Sequence, residues 1–157
     1  MKVIILLLCC AFPPQGMGAE DKAWYFVRHF EKLQGEDPGL SDAGGQRAIK
    51  LAEFFTDIPL SQIYSTDYKR SQQTAAPVAD KLALAVLCYD PRKLAQLADK
   101  LRLSNHVLVI GHSNTTPQLI TLMGGSAKPM SELDYGQIFI VSKIEGEIAT
   151  QVMDISL

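Results

Sequence analysis

Four short apolar runs, each followed by a stretch with helical spacing, recur along the chain and leave it few folds to adopt. Trp24-Tyr25-Phe26-Val27 is the first, apolar and aromatic and of strand length. Behind it Ser41 reads as a helix N-cap with Asp42 in the first turn, and Gly44, Ala48, Leu51, Ala52 and Phe55 share one face. Gln62-Ile63-Tyr64 predicts a second strand, followed by a helix from about Tyr68 to Leu82, with Pro77 working against its regularity. Ala85-Val86-Leu87 predicts a third strand and Lys93 to Leu101 a helix with Leu94, Leu97, Ala98 and Leu101 on one side. Val107-Leu108-Val109-Ile110 is the clearest buried strand, and Pro117 to Met123 predicts a short helix stopped by Gly124-Gly125. The end differs: Ile138 to Val141 and Ile148 to Ile155 flank Glu145-Gly146-Glu147, a hairpin signal. The pattern predicts an α/β fold in three layers, αβα, with a mostly parallel sheet and an antiparallel C-terminal edge.

Residues 1–19 do not join this pattern. Lys2 precedes an apolar run from Val3 to Phe12, then Pro13-Pro14 and the small residues Gly16, Gly18 and Ala19. A run of about ten residues has the length of a secretory signal core and is too short for a membrane-spanning helix. The expectation is a signal peptide over 1–19, cleaved after Gly18 or Ala19, with a folded domain over 20–157 exported to the periplasm or beyond. The alternative is a buried first strand, but a strand needs neither Lys2 before it nor the Pro-Pro and small-residue tail after it. A lipoprotein signal fits less well, because neither Cys9 nor Cys10 follows the small residue a lipidated cysteine needs.

The whole chain has 157 residues, 15 Lys+Arg against 17 Asp+Glu, and three cysteines. Removing residues 1–19 takes away Lys2, Cys9 and Cys10, which leaves a net charge of −3 and Cys88 alone. That balance argues against a nucleic-acid partner. One cysteine forms no internal disulfide, and its place in Leu84–Cys88 predicts a small buried hydrophobe.

In parallel folds of this type ligands bind beyond the carboxyl ends of the strands. The first strand ends in Arg28-His29 and the second in Ser65-Thr66, with Arg70 one turn into the next helix. The strand at Val107 ends in Gly111-His112-Ser113-Asn114. Two guanidiniums, two imidazoles and several hydroxyls or amides at one edge suit an oxyanion with several oxygens, a phosphate or phosphoryl group. The helix after Asn114 adds backbone N–H groups. Two histidines without acidic or thiol partners at ligand spacing are a weak metal signal, so neither a metal nor another cofactor is expected. No Gly-x-Ser-x-Gly elbow is present. His106, at the opposite end of its strand, reads as a surface loop histidine.

These residues resemble the histidine phosphatase superfamily, with its phosphoglycerate mutase-like fold. Phe26-Val27-Arg28-His29-Phe30-Glu31-Lys32 is similar to its Arg-His motif, in the Arg-His-x-Glu-Lys form of some small single-domain members. Leu40–Gly44 with Arg47-Ala48 and Leu51-Ala52 resembles its next helix, and Ile63–Thr66 with Arg70 and Gln73-Thr74-Ala75 its second arginine segment. Val107 to Asn114 resembles the strand carrying its second histidine.

The resemblance implies that His29 attacks phosphorus and forms a phosphohistidine that water cleaves, without a metal. It implies that Arg28, Arg70 and His112 bind the phosphoryl oxygens. Ser65, Asn114 and Phe30 are added as substrate-binding candidates. Phe30 stands where Gly or Ala is usual and is expected to narrow the pocket. The stretch from Arg70 to His112 lacks the insertion that carries the acidic proton donor of larger relatives, and Ser113 stands where phytase-like relatives carry an acid. Glu31, beside the motif, is the candidate acid, with a solvent-exposed pairing to Lys32 as its alternative role. Leu33 to Gly39 and Gly124 to Tyr135 are expected at the pocket mouth. The expected activity is hydrolysis of a small or surface phosphate ester. The alternatives are a protein phosphohistidine phosphatase and a phospho-ligand-binding protein without turnover.

Overall fold

The computed structural model describes residues 21–157; the expected signal peptide, its cleavage site and Cys9 and Cys10 lie outside the described residues. Six strands and four helices follow in the order β1 (Lys22–Arg28), α1 (Asp42–Phe54), β2 (Gln62–Ser65), α2 (Lys69–Leu82), β3 (Val86–Cys88), α3 (Leu94–Arg102), β4 (Val107–Gly111), α4 (Thr115–Leu122), β5 (Gln137–Ile144) and β6 (Glu147–Asp154). They build one sheet in the order β3-β2-β4-β1-β5-β6. β3, β2, β4 and β1 are parallel, and β5 and β6 run antiparallel at one side.

Alternation along the strands sorts the core into two halves. Tyr25, Val27, Ile63, Leu108 and Ile110 face α1 and α2, where Ala48, Leu51, Phe55, Ala75 and Val78 meet them. Trp24, Phe26, Tyr64, Val107 and Val109 face α3 and α4, where Leu97, Ala98, Leu101, Leu119 and Ile120 meet them. A strand covered on both faces must be apolar at consecutive positions, which is why the runs at 24–27 and 107–110 carry no polar residue.

Local signals set the element ends. Ser41 caps α1, its hydroxyl accepting from the Gly44 N–H at 3.2 Å. Gly44 packs against the Glu31 carbonyl so closely that a Cβ there would collide with backbone. α2 continues through Pro77, and α4 begins at Thr115, two residues before Pro117. The β5–β6 turn places Glu145 and Gly146 at φ +51° and +90°, the geometry of a two-residue hairpin.

One expectation fails here. Cys88 is exposed, because β3 is the outermost strand and only three residues long. The apolar run before it marked a strand at the sheet edge, where neighbours cover too little to bury the last residue. Among the described residues no helix is long and apolar enough to cross a membrane.

Candidate active site

The strand register decides which side chains meet. Arg28 pairs with Gly111 across β1 and β4, and Ser65 with Ile110 across β2 and β4, so three strands end at one level. The His29 N–H extends the ladder by donating to the Gly111 carbonyl at 2.9 Å. Gly111 is required by close approach: a Cβ would lie 2.7 Å from the Thr116 hydroxyl and 3.1 Å from that of Thr115. Beyond these ends lies a cavity of about 360 Å³, bordered by Arg28, His29, Arg70 and His112 together with Tyr68 and Glu132.

His29 is 3% exposed, and its Nδ1 lies 2.9 Å from the Phe30 carbonyl. A carbonyl only accepts, so Nδ1 carries the proton and Nε2 keeps a lone pair. Burial pushes this imidazole down to about 3, and Arg28, Arg70 and His112 add to that against the raising effect of the Phe30 carbonyl. His112 sits edge-on to His29 at 5.5 Å, with its Nε2 3.0 Å from the Thr66 hydroxyl. Burial, then Arg70 and Arg28, push it down to about 4. Both rings are therefore neutral at neutral pH.

The arginines supply the charge. Arg28 is 2% exposed, and its Nη1 donates to the carbonyls of Ser131 at 2.8 Å and Asp134 at 3.1 Å. Its Nη2 donates to Glu132 Oε2 at 3.2 Å and to the Tyr135 hydroxyl at 3.3 Å, and the Tyr135 ring stacks on the guanidinium at 4.2 Å. Arg70 lies over the Tyr68 ring at 4.5 Å, with its nearest carboxylate, Asp37, at 3.8 Å. The Nε of each arginine is buried and has no acceptor. Buried donors left unpaired are costly, so these two mark where an anion belongs.

The sequence candidates divide. Arg28, His29, Arg70, His112 and Asn114 border the cavity. Three do not. Ser65 is fully buried and its hydroxyl donates to the Thr66 carbonyl at 3.1 Å; the neighbouring Thr66 contacts His112 instead. Phe30 is fully buried among α1 and α2 side chains, because strand alternation turns it away from the cavity when His29 faces it. Glu31 pairs with Arg47, 2.7 Å from Nη2 and 3.1 Å from Nε, and does not border the cavity. Burial raises its affinity for a proton, but the Arg47 hydrogen bonds outweigh that and hold its carboxyl below the usual range. Its partner is thus Arg47 and not Lys32. His106 is half-buried rather than at the surface, stacked on Tyr25 at 6.4 Å with its Nδ1 buried and unpaired.

The sequence places Thr66 at a strand end and Glu132 and Tyr135 within the segment expected at the pocket mouth, but gives no individual role to these three or to Thr74. The Thr74 hydroxyl accepts the Phe30 N–H at 3.1 Å and donates to the Arg70 carbonyl at 2.8 Å, tying α2 to the segment behind His29. Among the described residues no group of three or more His, Cys, Asp or Glu is placed to hold a metal ion.

A neutral imidazole with a free nitrogen, set beside the buried Arg28 and the half-buried Arg70, makes a site that suits a phosphoryl-like anion. Residues 24–92 match the family model of the histidine phosphatase superfamily (branch 1), a segment that holds most of β1, all of β2, and Arg28, His29 and Arg70. The matched segment carries a likeness to the histidine phosphatase superfamily, and the fold agrees with it. Among similar solved structures is the protein histidine phosphatase SixA complexed with tungstate, at TM-score 0.68 and 16% identity, covering 84% of this chain and 96% of that one. A mycobacterial glucosyl-3-phosphoglycerate phosphatase matches at TM-score 0.66 and 12% identity, over 86% of this chain and 98% of that one. A phosphoserine phosphatase from Entamoeba histolytica, in complex with 3-phosphoglyceric acid, matches at 0.65 and 16%, over 87% and 98%. The mycobacterial protein has also been solved with inorganic phosphate and with VO3. No curated protein matches the chain in sequence.

Proposed function

We propose that the chain hydrolyses phosphate monoesters through a phosphohistidine on His29. The observation that carries this reading is the His29 ring itself: Nδ1 is held by the Phe30 carbonyl, so Nε2 meets the cavity as a nucleophile beside two unpaired guanidinium N–H groups. Nε2 attacks phosphorus and the ester oxygen leaves in line. Water then attacks the phosphohistidine and frees Nε2. Arg28, Arg70 and an N–H of His112 bind the phosphoryl oxygens and stabilise the charge that spreads over them. The backbone positions of Arg28, His29 and His112 are set by the strand ends before substrate arrives. These cationic side chains do the work a metal does elsewhere, and the proposed turnover is metal-independent.

We place this activity outside the cytoplasm, on the sequence of residues 1–19, with a small or surface phosphate ester as substrate. N-terminal sequencing of the protein from its native host should begin at residue 19 or 20; an intact N-terminus would contradict export. A second reading, a protein phosphohistidine phosphatase, is supported by the likeness to SixA over 96% of that chain. It gains if the N-terminus is intact and if phosphohistidine on a carrier protein is cleaved faster than alkyl phosphates. For the shared chemistry the test is His29→Ala. Aryl phosphate hydrolysis in the presence of a chelator should fall by more than about 10⁴-fold in that variant. Unchanged turnover would overturn the nucleophile.

A further inference from the structure

The reaction just proposed leaves an ester oxygen that needs a proton, and the residues already assigned supply none. Arginine does not release its protons in proteins, and burial keeps both imidazoles neutral. Glu132 is the one carboxylate that borders the cavity with His29, among the described residues. Its Oε2 lies 3.2 Å from Arg28 Nη2 and its Oε1 accepts from the Ser113 hydroxyl at 2.7 Å. Both partners stand at the anion site, and the side chain is otherwise 75% exposed.

The backbone beneath Glu132 is held by its own set of hydrogen bonds. Arg28 Nη1 holds the Ser131 and Asp134 carbonyls, the Asp134 carboxylate accepts the Ser131 N–H at 2.6 Å, and the Ser131 hydroxyl accepts the Leu133 N–H at 3.2 Å. The arginine that would bind the phosphoryl group thus also positions this turn. A phosphoryl oxygen arriving at Arg28 competes with Glu132 for Nη2. The displaced carboxylate then stands beside a dianion and has lost a cation.

We propose that Glu132 donates the proton to the leaving oxygen and takes one back from the hydrolytic water. The proposal rests on phosphoryl transfer to His29. In the first step the His29 Nε2–P bond forms and the P–O ester bond breaks. The freed electron pair stays on the ester oxygen, which takes the Glu132 carboxyl proton and leaves as alcohol. In the second step the water oxygen bonds phosphorus, its proton passes to the Glu132 carboxylate, and the N–P bond electrons return to Nε2. Ester and water become alcohol and phosphate. Without substrate the Ser113 hydroxyl, and after it Arg28, hold the Glu132 carboxyl below the usual range. Exchanging Arg28 for a phosphoryl dianion reverses the second influence and favours the protonated acid.

The test compares two leaving groups in Glu132→Gln. Single-turnover transfer to His29 is measured with an aryl phosphate whose phenol leaves readily and with an alkyl phosphate whose alcohol does not. The alkyl ester should slow by about 10²–10⁴-fold and the aryl ester by less than about tenfold. Equal losses on both esters, or none on either, would overturn the role of Glu132 while leaving His29 as nucleophile. Absence of phosphohistidine in the wild-type protein with either ester would overturn the parent reading and this one with it. Inorganic phosphate provides a second measurement. Its Kd should tighten in Glu132→Gln, because a neutral amide competes less for Arg28. A weaker Kd would overturn the displacement on which the proton transfer depends.

Discussion

The molecule contains two Arg–Glu pairs that look alike in outline and differ in what they leave open. Arg47 and Glu31 form a closed pair: Nε and Nη2 both reach the carboxylate, and Nη1 reaches the Ile155 carbonyl. The two side chains are 13% and 23% exposed. Arg28 and Glu132 form an open pair. Arg28 is 2% exposed and Glu132 75%, one contact of 3.2 Å joins them, and Arg28 Nε has no partner. A closed pair fastens the chain, here α1 and the loop behind His29 to the last residues. An open pair keeps a buried cation available to a ligand at the expense of an unsatisfied donor. The contrast separates structural from functional charge more sharply than sequence position does, since Glu31 is the glutamate nearest the Arg-His motif.

Breaking each pair should give different signatures in activity. Arg28→Ala is expected to lower aryl phosphate kcat/KM by about 10³-fold, since a charged donor to the transferring group is lost. Its urea midpoint should fall as well, because Arg28 also holds the Ser131 and Asp134 carbonyls; a loss of stability with activity retained would reverse the assignment. Arg47→Ala leaves Glu31 half-buried without its cation and should cost about 2–3 kcal/mol in chemical unfolding. Once folded, it should hydrolyse substrate within about threefold of wild type. A catalytic collapse there would make the closed pair part of the site.

The open site also carries a pH signature that the closed pair lacks. His29 and His112 are pushed down to about 3 and about 4 from an ordinary 6.5, by burial first. The unfolded chain therefore binds more protons than the folded one between pH 6.5 and those values. The contribution of these neutral rings is whole above pH 6.5 and declines as pH falls through that window. Unfolding free energy should drop between pH 7 and 4.5 by on the order of 1–3 kcal/mol more than in a His29→Asn/His112→Asn double variant. Parallel pH profiles would show that the rings are not desolvated in solution. The acid limb of kcat/KM from the nucleophile should likewise lie below pH 5. The smallest expected effect is that of Thr66→Val, which removes the hydroxyl on His112 Nε2. A loss of about tenfold in kcat/KM is expected, the scale of one neutral hydrogen bond.

The fold was readable because burial on both faces writes itself into consecutive apolar residues, as at Trp24–Val27 and Val107–Ile110. Ser41 and the Glu145-Gly146 turn were readable because their chemistry is local. Arg28, His29, Arg70 and His112 followed from strand ends in a parallel sheet. Glu132 and Tyr135 carry no such signal. They belong to a loop without periodicity and reach Arg28 across 104 and 107 positions. Phe30 and Ser65 were misplaced because which side of a strand end meets the cavity depends on register. The carboxylate nearest the motif proved to belong to α1 through Arg47, a contact set by how that helix docks. Cys88 shows the same dependence, since an apolar run does not say whether its strand is central or outermost.

In the proposed reaction the lone pair on His29 Nε2 takes the phosphoryl group. The most direct measurement is mapping of the covalent intermediate by rapid quench at alkaline pH and peptide mass spectrometry, with an aryl phosphate as donor. The expected result is a phosphoryl group on His29, labile to acid, absent from His29→Ala, and formed before phosphate is released. Turnover with no label on His29, or with the label on another residue, would contradict it.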